Sequence, residues 1–114
     1  MVAGGGGSIV NVSSFAAVEP SQRFKLSSVF RAGLSALTKL YCEEFSKDNV
    51  RMNNVLPGYV ENWPQSQEVF AEIPAGRLAK LDEIAATIEF LLTDNAAYIN
   101  GQNIVVDGGL VRGI

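Results

Sequence analysis

Few residues of this chain have side chains that could do chemistry at neutral pH. Histidine is absent, which removes Ser-His and Cys-His nucleophilic catalysis, histidine metal ligands and the usual proton shuttle. Cys42 is the only cysteine, so neither an intrachain disulfide nor a multi-cysteine metal site is possible. We therefore predict no metal centre, and any catalysis must use other groups.

Two remaining features have the residue types of a binding site. Ser13 and Ser14 end a β-branched run that begins at Ser8, where hydroxyls commonly satisfy local backbone groups. The glycine run at residues 4–7 has the composition of a phosphate-binding loop. Such loops follow a strand and open directly into a helix, whereas this run precedes a predicted strand. We therefore interpret residues 1–7 as a flexible leader.

The elements that position these groups follow from the hydrophobic pattern. Residues 8–14 predict a short parallel strand buried on both faces, and residues 15–25 predict a loop. A helix is predicted over residues 26–46 from a regular apolar stripe. The stripe consists of Leu26, Phe30, Leu34, Leu37, Tyr41 and Phe45.

In the second half of the chain, predicted strands and helices continue to alternate. Residues 51–56 predict a strand that ends at Pro57 and Gly58, neither of which suits a strand interior. An irregular connector follows to residue 81, with one helical turn near residues 65–70. An amphipathic helix over residues 82–93 and a strand over residues 103–106 complete the pattern.

This order predicts one α/β domain over residues 1–114, with a parallel sheet of about three strands and flanking helices. A three-stranded parallel sheet leaves both edges unpaired, and helices cover faces rather than edges. We therefore expect either self-association or a second polypeptide that supplies the missing strands.

Charge and hydropathy exclude two classes of partner. The net charge is −3 and the basic residues are dispersed, which argues against nucleic-acid binding. The most apolar segment, residues 84–92, contains Glu89 and is too short to span a membrane. With a single cysteine, the composition predicts a cytoplasmic protein.

Four ordered motifs carry a resemblance to a known family. They are GSIVNVSS, GLSALTKLYCEEF, RMNNVLPGYV and GRLAKLDEIAATIEFLLTDNAAYINGQNIVVDGG. Together, from about Gly7 to Leu110, they resemble short-chain dehydrogenase/reductases, particularly the acyl-carrier-protein reductase type. The resemblance implies the C-terminal half of a Rossmann-type doubly wound sheet.

The resemblance also implies a catalytic centre, and this chain departs from it. Ser14 matches the family serine that hydrogen-bonds the substrate carbonyl. Ser27 and Arg31 stand where the family has the tyrosine and lysine of its YxxxK pair. A cation can lower the pKa of a phenol towards neutrality, whereas a serine hydroxyl is about as weak an acid as water. Arg31 differs from lysine in geometry and stays charged.

A vestigial cofactor loop is implied by PGYVEN, which is similar to the family's PGxxxT loop beside the nicotinamide. Pro57, Gly58, Val60 and Asn62 are the matching residues, with Asn62 in place of the threonine. The alternative is a turn that simply ends a strand. NAD(P) is the family's cofactor, but the glycine-rich loop that binds its phosphates is absent from these residues. No cofactor is expected for the isolated chain.

Three functions remain open. The first is a catalytically inactive member of the family that retains its association helices and forms a homo-oligomer. The second is half of an NAD(P)-dependent oxidoreductase, active only with an upstream nucleotide-binding half. The third is a small-molecule binding protein that uses the cleft around Ser14.

Overall fold

The computed structural model describes residues 1–114 and consists of one three-stranded sheet with helices around it. The strands are β1 (Gly7–Val12), β2 (Val50–Pro57) and β3 (Asn103–Val106), and the α-helices are α1 (Lys25–Phe45), α2 (Gln67–Glu72) and α3 (Leu81–Leu92). The spatial order is β1-β2-β3 and both pairings are parallel. The predicted α/β fold with a parallel sheet is confirmed.

The centre of the sheet is β2, which is buried along nearly its whole length. In contrast, β1 is only half-buried and Val12 at its end is 53% exposed. The prediction that β1 is buried on both faces is therefore wrong. The physical reason is its place in the sheet, since β2 is its only neighbour and its outer edge is unpaired.

The helix α3 covers one face of the sheet with an apolar core. Val55 and Leu91 are fully buried and pack with Ile84 and Ala96, while Val10 of β1 packs against the same cluster. At the start of α3, Asp82 and Glu83 lie in the first turn, as the sequence predicted. Negative side chains there stabilise the helix through its dipole.

The opposite face of the sheet packs against α1 and carries a buried polar group at its centre, between the buried apolar residues Met52 and Leu56 of β2. Asn11, Asn54 and Asn103 occupy paired positions on the three strands. Asn54 Nδ2 donates to Asn103 Oδ1 at 2.8 Å, and Asn11 Nδ2 donates to Asn54 Oδ1 at 3.0 Å. From α1, the buried Thr38 hydroxyl donates to Asn54 Oδ1 at 3.0 Å. We call these four residues the amide network.

Half of the apolar stripe of α1 is exposed to solvent, and none of it is fully buried. Leu26 is 73%, Phe30 71% and Leu37 53% exposed, whereas the buried residues of the helix are Ser28 and Thr38. The remaining stripe residues, Leu34, Tyr41 and Phe45, are half-buried. An apolar stripe ordinarily marks the core face of a helix, but here small polar side chains occupy that face.

Element boundaries differ from the predicted ones by a few residues. The expected loop at residues 15–25 contains two short 3-10 turns, Phe15–Ala17 and Gln22–Phe24. Gly7, placed in the leader, begins β1, and the preceding residues form hydrogen-bonded turns in which the Asn49 amide donates to the Gly5 carbonyl at 3.1 Å. None of the helices is sufficiently long and apolar to cross a membrane.

Candidate functional site

A cleft of about 570 Å³ lies beside the carboxyl ends of β1 and β2. The carboxyl ends of parallel strands are where open α/β sheets bind ligands. Six of the residues named from the sequence line this cleft: Ser14, Arg31, Pro57, Gly58, Val60 and Asn62. The fold therefore brings the predicted serine, the predicted cation and the predicted loop to one place.

Ser14 is half-buried and begins the first 3-10 turn. Its backbone is extended, and its Oγ accepts a hydrogen bond from the backbone N–H of Ala16 at 3.2 Å. The Ser14 hydroxyl thus satisfies a nearby backbone N–H group, as serine side chains at the end of a strand commonly do. A hydroxyl retains a donor hydrogen and a second lone pair, so the cap does not exhaust its capacity towards a ligand.

Arg31 reaches the cleft from α1. Its Nη1 donates to the backbone carbonyl of Val12 at 3.1 Å, which ties the helix to the exposed end of β1. The guanidinium forms no ion pair, because the two salt bridges of the chain are Arg23–Glu72 and Arg77–Glu83. Arg31 therefore keeps a net positive charge at the cleft.

Ser27 does not line the cleft. It is half-buried on α1, and the neighbouring Ser28 is the buried hydroxyl that accepts a hydrogen bond from the backbone N–H of Ser21 at 3.2 Å. The predicted pair is thus split, with Arg31 at the cleft and Ser27 outside its lining.

The loop after β2 has a structural requirement of its own. The Gly58 N–H donates to the Val106 carbonyl at 3.0 Å, and a Cβ on Gly58 would lie 2.9 Å from the Cβ of Asp107. Only glycine allows this close approach of backbone to β3. Asn62 is exposed beyond it, so the interpretation of the motif as a strand-ending turn has direct support at Gly58.

Aromatic residues form much of the cleft, and the sequence analysis did not single them out. Phe15, Phe24, Tyr59 and Trp63 all line it. The ring centroids of Phe15 and Tyr59 lie 5.4 Å apart, and those of Phe15 and Phe24 lie 6.1 Å apart with perpendicular planes. Their positions in the sequence could have indicated that two of them belong to the site, because Phe15 directly follows Ser14 and Tyr59 directly follows the Pro-Gly pair.

An ion pair between Arg23 and Glu72 contacts Tyr59, one of the aromatic residues that line the cleft. Arg23 Nη2 lies 2.9 Å from Glu72 Oε1, and Arg23 Nη1 donates to the Tyr59 hydroxyl at 3.4 Å. The hydrogen bonds to Glu72 and Tyr59 raise the pKa of the Arg23 guanidinium above its ordinary value. This contact connects the second 3-10 turn and α2 to the cleft.

Residues 1–111 match the sequence profile of the enoyl-(acyl carrier protein) reductase family. The chain is 38% identical to a 3-oxoacyl-(acyl-carrier-protein) reductase from Thermotoga maritima. The aligned region spans 92% of this chain and 46% of that protein. It is 35% identical to a cyclohexanol dehydrogenase from an Acinetobacter species, over 95% of this chain and 45% of that protein.

The solved structures agree with the sequence match. An NADH-dependent reductase responsible for alginate metabolism superimposes with a TM-score of 0.84 at 29% identity, over 93% of this chain and 42% of that one. The protein belongs to the short-chain dehydrogenase/reductase family of Rossmann-fold oxidoreductases. The chain spans less than half the length of the relatives that it matches.

The residues present do not fit a dinucleotide cofactor. Its phosphates need a glycine-rich turn that opens into a helix N-terminus with free N–H groups. The N-terminus of α3 carries Asp82 and Glu83, and a Glu83 carboxylate oxygen already accepts the Lys80 N–H at 2.8 Å. The run at residues 4–7 leads into β1 rather than a helix. We therefore derive no chemical step through a nicotinamide.

Proposed function

We propose that these 114 residues act as a non-catalytic association module of the family, which binds a second copy of itself through the outward face of α1. The observation that carries this proposal is the exposure of large apolar side chains along that face. They are Leu26 (73%), Val29 (67%), Phe30 (71%), Leu37 (53%) and Leu40 (63%). We call these five residues the outward face.

The size of the surface supports association. The accessible area is 7272 Å² for a mass of 12.2 kDa, which is about 1,200 Å² more than a compact monomer of that mass exposes. A standard interface removes roughly 800 Å² from each partner, so the excess is of the right order. A second apolar surface on α3 and β3 includes Phe90, Leu92 and Val105.

The absence of catalysis is proposed from the site. Proton relay in this family rests on a tyrosine whose phenol is activated by a lysine, and Ser27 and Arg31 stand in their places. Ser27 lies outside the lining of the cleft, and a serine hydroxyl is too weak an acid to relay protons without a base.

The unpaired thiol of Cys42 fits a reducing, cytoplasmic setting.

Sedimentation of outward-face variants tests the proposal. The unmodified chain is expected to sediment as a dimer or larger species at micromolar concentration. Phe30→Asn together with Leu37→Asn should convert it to a monomer, because amide groups on this face would be buried without partners. Both positions are exposed, so the fold of each subunit should persist in circular dichroism.

The matched control is Val18→Asn, which alters an exposed apolar side chain (43%) outside α1. It should leave the sedimentation coefficient unchanged. A monodisperse monomer for the unmodified chain at micromolar concentration would contradict the proposal, as would a double variant that sediments like its parent.

The second candidate function is that of an oxidoreductase half, completed by an upstream nucleotide-binding polypeptide. The observation in its favour is the unpaired outer edge of β1, together with a span of less than half the length of the relatives. Such a polypeptide would pair a strand with β1 and bring its own phosphate-binding loop. In this case NAD(P) would be held by the partner rather than by this chain.

A repair experiment tests this candidate. Ser27→Tyr with Arg31→Lys in this chain alone should yield no reductase activity, because nothing positions a hydride donor, and positioning contributes roughly 7 to 11 kcal/mol. The same double variant, joined to the upstream half of a related reductase, is expected to gain activity. The assay is NADPH oxidation with ketone and 3-oxoacyl substrates, and the controls are the unrepaired chain with and without the upstream half. Activity of the unrepaired chain alone would overturn both arguments.

A further inference from the structure

The cleft beside Ser14 combines aromatic walls with a single kind of charge. Phe15, Phe24, Tyr59 and Trp63 supply flat apolar surface, and Arg31 is the only charged residue that lines the cleft. No carboxylate lies among the lining residues, although the chain as a whole carries a net charge of −3. The local charge of the cleft is therefore opposite in sign to that of the molecule.

The Arg31 guanidinium has unused hydrogen-bonding capacity. It carries five N–H donors, and its side chain makes one hydrogen bond, from Nη1 to the Val12 carbonyl at 3.1 Å. A guanidinium without a carboxylate partner attracts anions, and its planar fork matches the two oxygens of a carboxylate. The bond to Val12 also holds the side chain in place, which reduces the entropy lost on binding.

A buried polar group borders the same cleft. Ser13 is 8% exposed, and its Oγ has no hydrogen-bond partner in the protein. Buried hydroxyls are nearly always paired, because an unpaired one costs about 1–3 kcal/mol. The Ser13 Oγ is itself shielded from solvent, so it does not face a ligand in the cleft directly, and the inference below rests on Arg31 and the aromatic side chains.

We infer that this cleft binds a small organic carboxylate that has a flat, aromatic body. The carboxylate pairs with Arg31, and the ring packs among the aromatic side chains, where ring stacking adds to apolar burial. Neither a neutral ring nor a compact anion satisfies both parts of the site. The inference is independent of self-association, because no outward-face residue lines the cleft.

The chain contains a natural reporter for this test. Trp63 is the only tryptophan, it lines the cleft and it is 70% exposed. Its fluorescence, excited where the ligand does not absorb, is followed as phenylacetate is added to the full chain. Saturable binding is expected, with phenylacetamide and acetate each weaker by about tenfold or more, a difference of ~1.4 kcal/mol. Calorimetry of the same titrations provides a measurement that does not depend on Trp63.

Variants of the cation identify the site. Arg31→Gln should weaken phenylacetate binding about tenfold, whereas Arg31→Lys, which keeps the charge, should stay within a few-fold of the parent. Lys39→Gln is the matched control, because it makes the same change in net charge on α1 outside the cleft and should have no effect. If Arg31→Gln fails to fold, salt dependence decides instead: the affinity of the unmodified protein should fall as ionic strength rises.

Any of the following results would overturn the inference: no saturable binding of phenylacetate, equal affinity for phenylacetamide, a folded Arg31→Gln variant with parental affinity, or an affinity that does not change with salt. Weakening by Lys39→Gln equal to that by Arg31→Gln would also overturn it, since this would indicate a general charge effect rather than a site.

Discussion

At the scale of single residues, our proposal that this chain is inactive rests on Ser27 and Arg31, which stand where the family resemblance implies a tyrosine and a lysine. Ser14 and the Pro-Gly turn reach the cleft where the sequence places them, but Ser27 does not line it. Arg31 has instead taken a structural contact with Val12. The residue types were readable from the sequence. The two residues lie one turn apart on the same side of α1, so which of them reaches the cleft depends on the position of the cleft along the helix, and the sequence does not give that position.

Among single residues, Glu83 is the one expected to make the free energy of unfolding depend on pH. The Arg77 guanidinium, and then the Lys80 N–H, lower the pKa of Glu83 from 4.5 to about 2. A carboxyl group whose pKa is lower in the folded state than in the unfolded state stabilises the fold. This stabilisation is fully present at a pH above the unfolded-state pKa, and it is lost as the pH falls through the folded-state pKa. The free energy of unfolding should therefore exceed that of Glu83→Gln by a constant amount above about pH 4.5, and the difference should vanish towards pH 2.

Urea unfolding of both proteins across this pH range provides the measurement. Glu89→Gln on the same helix is the control, because Glu89 is exposed and takes part in neither salt bridge of the structure. A Glu83→Gln difference that stays the same from neutral pH to pH 2 would contradict the assignment of this ion pair.

At the scale of elements, the sequence pattern identified which segments are helices and strands but not which way α1 faces. Strand β3 was predicted at its observed bounds, and each helix within two residues at either end. The stripe of α1 was visible, yet the sequence alone does not say whether a stripe meets a core or a partner. In the structure, the buried Thr38 of α1 meets the amide network, whose members come from four separate elements and are therefore not apparent as a group in the sequence.

The amide network predicts the effect of Thr38→Val. Valine keeps the shape of threonine but removes the hydroxyl, which lies 3.0 Å from the fully buried Asn54 Oδ1 and 2.9 Å from the Leu34 carbonyl of its own helix. The expected loss is about 1–2 kcal/mol in the free energy of unfolding, measured by urea denaturation at a fixed protein concentration. Thr87→Val is the control, because that hydroxyl donates only to the Glu83 carbonyl of its own helix and should cost less. Equal losses would argue against a special role for the network.

At the scale of the whole molecule, the fold is extended for its length. Only 20 of 114 residues are buried, and the radius of gyration is 15.1 Å, compared with about 13 Å for a compact domain of about this size. From the small core and the large apolar surface we expect a single copy of the chain to have little stability of its own. The proposed association through the outward face would bury apolar side chains of α1 that the small core leaves exposed.

The most direct test of this account is the dependence of the melting temperature on protein concentration. If subunits stabilise one another, association shifts the folding equilibrium by mass action. The melting temperature of the unmodified chain should rise as its concentration increases, and that of the Phe30→Asn, Leu37→Asn variant should be lower and independent of concentration. A melting temperature of the unmodified chain that stays constant over a wide range of concentration would contradict self-association through the outward face.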